Sequence, residues 1–186
     1  GISAAISIFP EHPQIEKWRE GFIKWALNAS TTYLDRLNEE SYEGRSLRWD
    51  WFNTVTLHPD FTTENHGFVH PSYLCAGINL RSFHLILSLL SGKEMLSCAL
   101  HNNEIVYNKA LVAWSQRDGL AVPIQGQDWW YGRHCERQLT HAVMNVFHSS
   151  RYAARLERAA LEIVEGMQRS NSRGCLLEEK GEECVI

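Results

Sequence analysis

The sequence predicts an all-α fold built from stacked α-hairpins. Three observations carry this. Apolar residues recur at steps of three and four over long stretches, as in Ile15, Trp18, Phe22, Trp25, Ala29, Tyr33 and Leu37. No period-two alternation lasts more than a few residues, so no sheet is expected. Helices with a polar face alternate with one that is apolar all round, with long loops entering and short turns leaving.

The elements follow in order. Residues 1–10 are a short apolar lead ending at Pro10, without the basic start or the length of a signal peptide. A first helix is expected from Pro13 to Glu40. Ser41 to Pro71 shows no sustained period and holds an aromatic knot, Trp49-Asp50-Trp51-Phe52, with a short helical turn expected near Trp49 to Val55. A loop this long in a compact domain is usually functional. The second helix, Ser72 to Leu90, is apolar on every side, which predicts burial among other helices, and Gly92 is its C-cap. A third helix is expected from Glu94 to Trp114, closed by Arg117-Asp118-Gly119. Residues 120–132 form a second irregular stretch, opened by Val122-Pro123 and with a short extended pair at 120–124. A fourth helix is expected from His134 to Phe147 and a fifth from Arg151 to Ser170, leaving 172–186 as an irregular tail.

The chain of 186 residues is expected to form a single helical domain. A net charge of −4 with scattered basic residues gives no nucleic-acid footprint. The apolar run at Leu85 to Leu90 is too short to span a bilayer, so no membrane partner is expected. The five Cys (75, 98, 135, 175, 184) are odd in number and lack a CxxC pair, which predicts buried reduced thiols and no zinc knuckle. Asn28-Ala29-Ser30 matches a glycosylation sequon but falls inside the predicted first helix. Trp18, Trp25 and Trp114 fit helical periods and are expected in the core; His84, His101 and His148 are expected to be structural or exposed.

Two stretches concentrate chemistry. Thr62 to Tyr73 packs Glu64, Asn65, His66, His70 and Tyr73 around Gly67 and Pro71, at the entrance of the most apolar helix. Gln125 to His134 holds Asp128, Trp129, Trp130, Tyr131 and Arg133. Polar and conformationally special residues at a helix entrance suit a site better than a core. Stacked hairpins repeating roughly every sixty residues would gather both loops at one end.

With Asn65-His66 before an inner helix, an Asp118-Gly119 turn, and Tyr131 within Gln127 to His134 one hairpin later, residues 64–146 resemble the α/α-toroid polysaccharide lyases, the group that includes alginate lyases and the heparinase II/III type. The resemblance covers under half the chain and rests on order and spacing. It implies a partial (α/α) toroid, completed by the remainder of a larger chain or by self-association. It also implies β-elimination on a uronate-containing glycan or another small carboxylated ligand, without metal or other cofactor. Asn65 would neutralise the substrate carboxylate, His66 would act as base, and Tyr131 would protonate the leaving oxygen. Arg133 would hold a second carboxylate, and Trp129 and Trp130 would stack on sugar faces. His70, Tyr73, His134 and His141 compete for the same roles, and Asp128 joins them as a substrate contact.

Plainer readings stand beside these. Asn65 can be a helix N-cap with His66 satisfying backbone carbonyls, Pro71 ordinary helix-start chemistry, and Asp128 the cap of the fourth helix. Glu64, His66 and His70 could hold a metal only if a regular helix crossed Gly67, which argues against one. An inverting glycoside hydrolase of toroid form would use carboxylates drawn from Asp50, Glu64, Asp128 and Glu136. A helical ligand-binding or scaffold module is the non-catalytic reading. No Asp-rich run supports a terpene cyclase.

Overall fold

The computed structural model describes residues 1–69, 71–117, 119 and 137–174. The chain is mostly helical, with little strand. In order come α1 (Ile2–Ile8), α2 (Ile15–Asn28), a 3-10 turn (Tyr33–Leu37) and a hairpin of β1 (Ser41–Tyr42) with β2 (Arg45–Ser46). A π turn (Leu47–Trp51) follows, then a second hairpin of β3 (Glu64–Asn65) with β4 (Phe68–Val69), and the long α3 (Pro71–Ser91). A 3-10 turn (Ser97–Leu100), α4 (Asn103–Val106) running into a π turn (Tyr107–Val112), α5 (Gln138–His148) and α6 (Arg151–Arg169) complete the described elements.

The helix α3 supplies buried residues to both hydrophobic clusters. Its first half sends Leu74, Cys75 and Ile78 into a cluster with Val106, Tyr107, Leu111, Val143, Met144 and Leu156. Its second half sends Leu85 into a cluster with Ile6, Phe22, Leu27, Leu47, Trp51 and Leu96. Between Ile78 and Leu85 sits Arg81, buried and fully enclosed. Its guanidinium donates to Ser30 Oγ at 2.9 Å, to the His101 carbonyl at 2.7 Å, to Asn103 Oδ1 at 2.6 Å and, through Nε, to the Gly77 carbonyl at 3.1 Å. All four acceptors are neutral. Desolvation brings its pKa down to about 10, so it stays charged at neutral pH.

Two of the expected helices stop short, each at residues whose polar groups bond elsewhere. The first helix ends at Asn28, well short of Glu40. Asn28 turns its side chain inward, donating to the Trp51 carbonyl and accepting from the N–H groups of Asn53 and Thr54. Thr32 and Asp35 form a capping box that starts a separate 3-10 turn. Asn28 is buried, so the sequon does not present an accessible amide. The expected third helix is likewise broken. Its first turn is 3-10, and Asn102 adopts a left-handed φ of 56° before α4 begins. The Asn102 amide donates to the Ser30 carbonyl at 2.8 Å, which ties the break to the Arg81 neighbourhood.

Other expectations meet mixed outcomes. The second and fifth helices match α3 and α6 within a residue or so, and Ser150 caps α6 by accepting from the Ala153 N–H. Gly92, at φ 63°, ends α3 with the Lys93 N–H bonded to the Ser88 carbonyl, the expected C-cap. The aromatic knot forms a helical turn, but at Leu47–Trp51. The apolar lead is helical as α1. The described part of the fourth helix is α5; residues 134–136, like the expected extended pair at 120–124, lie outside the described residues. Cys75 and Cys98 are free and buried as expected; Cys135, Cys175 and Cys184 lie outside the described residues, as does the tail from 175.

Two burial expectations are corrected. Trp25 is 44% exposed because the buried face of α2 runs through Phe22, Ile23, Ala26 and Leu27, rotated away from the Trp18–Trp25 line. The helix α3 is not enclosed on all sides: Leu80, Phe83 and Leu90 are 55%, 48% and 79% exposed, while Arg81, Ser82, His84 and Ser88 point inward. By length and composition alone α3 could cross a membrane, but its polar residues face the two cores of this fold.

Replacing Arg81 with Met would leave the acceptors on Ser30, His101 and Asn103 buried without their donor, at about 1–3 kcal/mol for each orphaned group. The expected outcome is a loss of at least about 3 kcal/mol in urea unfolding, whereas an outward change such as Leu80→Ser should stay within about 0.5 kcal/mol.

Candidate functional site

The Asn65-His66 stretch is a hairpin tip, and the reason is local. Glu64 pairs with Val69 and Asn65 with Phe68, leaving His66 and Gly67 as a two-residue turn. Both carry left-handed backbone, at φ 53° and 79°. That is the geometry of a type I′ turn, whose hand matches the twist of the paired strands. Gly67 takes such a φ without strain, and His66 takes it at some cost. Asn65 therefore lies within a strand six residues before α3 begins, and the helix-cap reading fails.

The tip faces solvent: Asn65 and His66 are both exposed. The His66 ring lies 6.4 Å from the ring of Tyr73, in the first turn of α3, at an interplanar angle of 37°. Tyr73 is 7% exposed and belongs to the core side of the helix. Three of the residues expected in the site thus come together at the entrance of α3. His70, Asp128, Trp129, Trp130, Tyr131 and Arg133 lie outside the described residues, as do His134 and Glu136.

Among the competing candidates, His141 is not a surface base. It is fully buried, and its Nδ1 stands 2.6 Å from the Tyr107 hydroxyl. Asp50 is engaged locally: its Oδ2 accepts from the Ser46 N–H at 2.7 Å, while Ser46 Oγ accepts from the Trp49 N–H. Glu64 remains exposed on β3. In the aromatic knot Trp51 is buried under Arg45, whose guanidinium carbon is 4.0 Å from the ring centroid. Trp49 is 75% exposed, with Arg48 at 4.3 Å over one face.

A chain of polar side chains that sequence reasoning missed lies beside Arg81. Asp35 Oδ1 is 3.2 Å from His101 Nε2, and His101 Nδ1 is 2.9 Å from the Tyr42 hydroxyl. That hydroxyl lies 3.0 Å from Glu40 Oε2, which is open to solvent. Burial alone would raise the Asp35 pKa. Hydrogen bonds from His101 and from the Thr32 N–H overrule it and hold the carboxyl below its ordinary value. Burial, and then the Glu40 charge, push Tyr42 far up, so it keeps its proton. The chain links an enclosed carboxylate to solvent through groups able to hold a proton. The Thr32-x-x-Asp35 capping signature was the one sign of it in the sequence; the pairing with His101 spans 66 residues of chain and exists only in the fold.

Comparison with protein-family models, curated proteins and solved structures found no match in any of the three.

Two buried imidazoles set the acid behaviour. Desolvation, reinforced by the Arg19 charge, lowers His84 from 6.5 to about 4. Desolvation, reinforced by Arg137, does the same to His141. A folded-state pKa below the unfolded one means that the unfolded chain takes up protons first as pH falls. Stability is therefore full above pH 6.5 and is lost between there and about pH 4, on the order of 3 kcal/mol for each residue. Urea midpoints measured across that range should fall steeply below about pH 6.5. A midpoint that stays constant down to about pH 5 would contradict the burial of neutral imidazoles.

Proposed function

We propose that this chain is the helical part of a carbohydrate-active enzyme that performs β-elimination on a uronate-containing glycan. The observation that carries the reading is the solvent-facing Asn65-His66 tip, with the His66 ring 6.4 Å from that of Tyr73. Elimination needs a neutralised carboxylate, a base for the α-proton and an acid for the leaving oxygen. The Asn65 amide is an uncharged donor suited to the carboxylate. His66, exposed, is suited to take the proton. A tyrosine, Tyr73 or Tyr131, is suited to protonate the oxygen as its bond to the sugar breaks and the ring double bond forms. Arg133 is assigned to a further carboxylate, and Trp129 and Trp130 to sugar stacking, with Asp128 and His70 as flanking polar contacts. Exposed Trp49 adds an aromatic face.

The architecture proposed with it is a partial (α/α) toroid. The short α5–α6 connection through Ser149 and Ser150 is the αα-hairpin that such a fold repeats. The outward apolar positions Leu80, Phe83 and Leu90 of α3 suit a further helical layer, from a longer chain or a second copy.

The test is product analysis on polyuronates, since elimination creates an unsaturated sugar that absorbs in the near ultraviolet and hydrolysis does not. His66→Ala is expected to lower turnover by about a hundredfold or more. Tyr131→Phe and Tyr73→Phe decide which tyrosine is the acid. Saturated products, with activity abolished by Glu64→Gln and untouched by both tyrosine changes, would replace elimination with hydrolysis.

A further inference from the structure

A second concave region lies away from the Asn65-His66 hairpin, at the opposite end of α3. A cleft of about 350 Å³ opens where α1, the start of α2 and the C-terminal end of α3 meet. That volume is at the lower end of the range for small-molecule sites. Ile6, Pro10 and Ile15 give it an apolar side; His84, Ser88, Arg19 and Lys93 give it donors.

His84 is the informative residue. It is 1% exposed and lines the cleft. The Leu96 N–H donates to its Nε2 at 3.1 Å, so the neutral ring carries its proton on Nδ1. That Nδ1–H has no hydrogen-bond partner among the described residues. An enclosed donor without an acceptor is costly, and native interiors rarely keep one without a reason. Ser88 Oγ, also buried, lies 3.5 Å from the same imidazole. Arg19 is only loosely engaged, with Glu43 and Glu94 at 3.8 and 3.7 Å, and Lys93 holds the carbonyl of Ser7 with one of its three donors. Glu16 and Glu94, both exposed, also line the cleft, so it is not a general anion trap.

We propose that this cleft binds a small carboxylate with a short aliphatic body. The carboxylate is held by Lys93 and Arg19 toward the His84 Nδ1–H, and the body lies against Ile6, Pro10 and Ile15. The site is independent of the elimination chemistry proposed above.

The probe is sodium butyrate, titrated into the full chain while NMR follows the Leu96 amide and the His84 ring. Butan-1-ol serves as the uncharged control and sodium chloride as the ionic-strength control. Saturable shifts with butyrate alone are expected. Lys93→Gln keeps a donor for Ser7 but removes the charge, and it should weaken binding about tenfold without moving the thermal midpoint. Shifts that never saturate, that butan-1-ol reproduces, or that Lys93→Gln leaves unchanged would overturn the proposal and leave a cleft filled by water.

Discussion

The described fold is arranged around a buried cation, Arg81, and the neutral acceptors that satisfy it. Arg81 stands midway along the longest helix, between two hydrophobic clusters, and an isolated charge there would be prohibitively costly. It is tolerated because three segments distant in sequence supply oxygen atoms at hydrogen-bonding distance. Those segments are the end of α2, the turn before α4, and α4 itself. A planar fork fixes direction as well as distance, so the guanidinium dictates where each segment may run. A lysine could not make the same set of contacts.

The consequences spread outward. Ser30 and the carbonyl of His101 serve Arg81, which places Asp35, Tyr42 and His101 within reach of one another. Asn102 is forced into left-handed backbone to keep its own amide on the Ser30 carbonyl. The inward side of α3 mixes polar residues with Leu74, Ile78 and Leu85, while Leu80, Phe83 and Leu90 stay on its outward side. The hairpin bearing Asn65 and His66 sits directly before the same helix. Its position relative to Tyr73 is thereby anchored to a helix locked at its centre.

The parts legible in the sequence are those that local rules decide. Periodicity and capping residues place α3 and α6 closely, since both run uninterrupted between a clear start and stop. The apolar rhythm of the expected first and third helices continues past the observed ends, across residues with another task. Asn28 and Thr31 give their side chains to distant backbone, and Thr32 with Asp35 caps a new turn; a helical period cannot register that. Of the site, the density of polar groups before α3 was visible. Its form was not: the strands flanking His66-Gly67 are two residues each, too short to show a period of two. The Asp35–His101–Tyr42 chain was hidden because its members are ordinary residues until the fold brings them together.

Arg81 is fully enclosed and fixed by neutral acceptors, and heteronuclear NMR of its guanidinium tests this most directly. Individually resolved Nη protons, slow to exchange with water and slow to rotate, are expected. A single averaged signal exchanging at the rate of a surface arginine would contradict it.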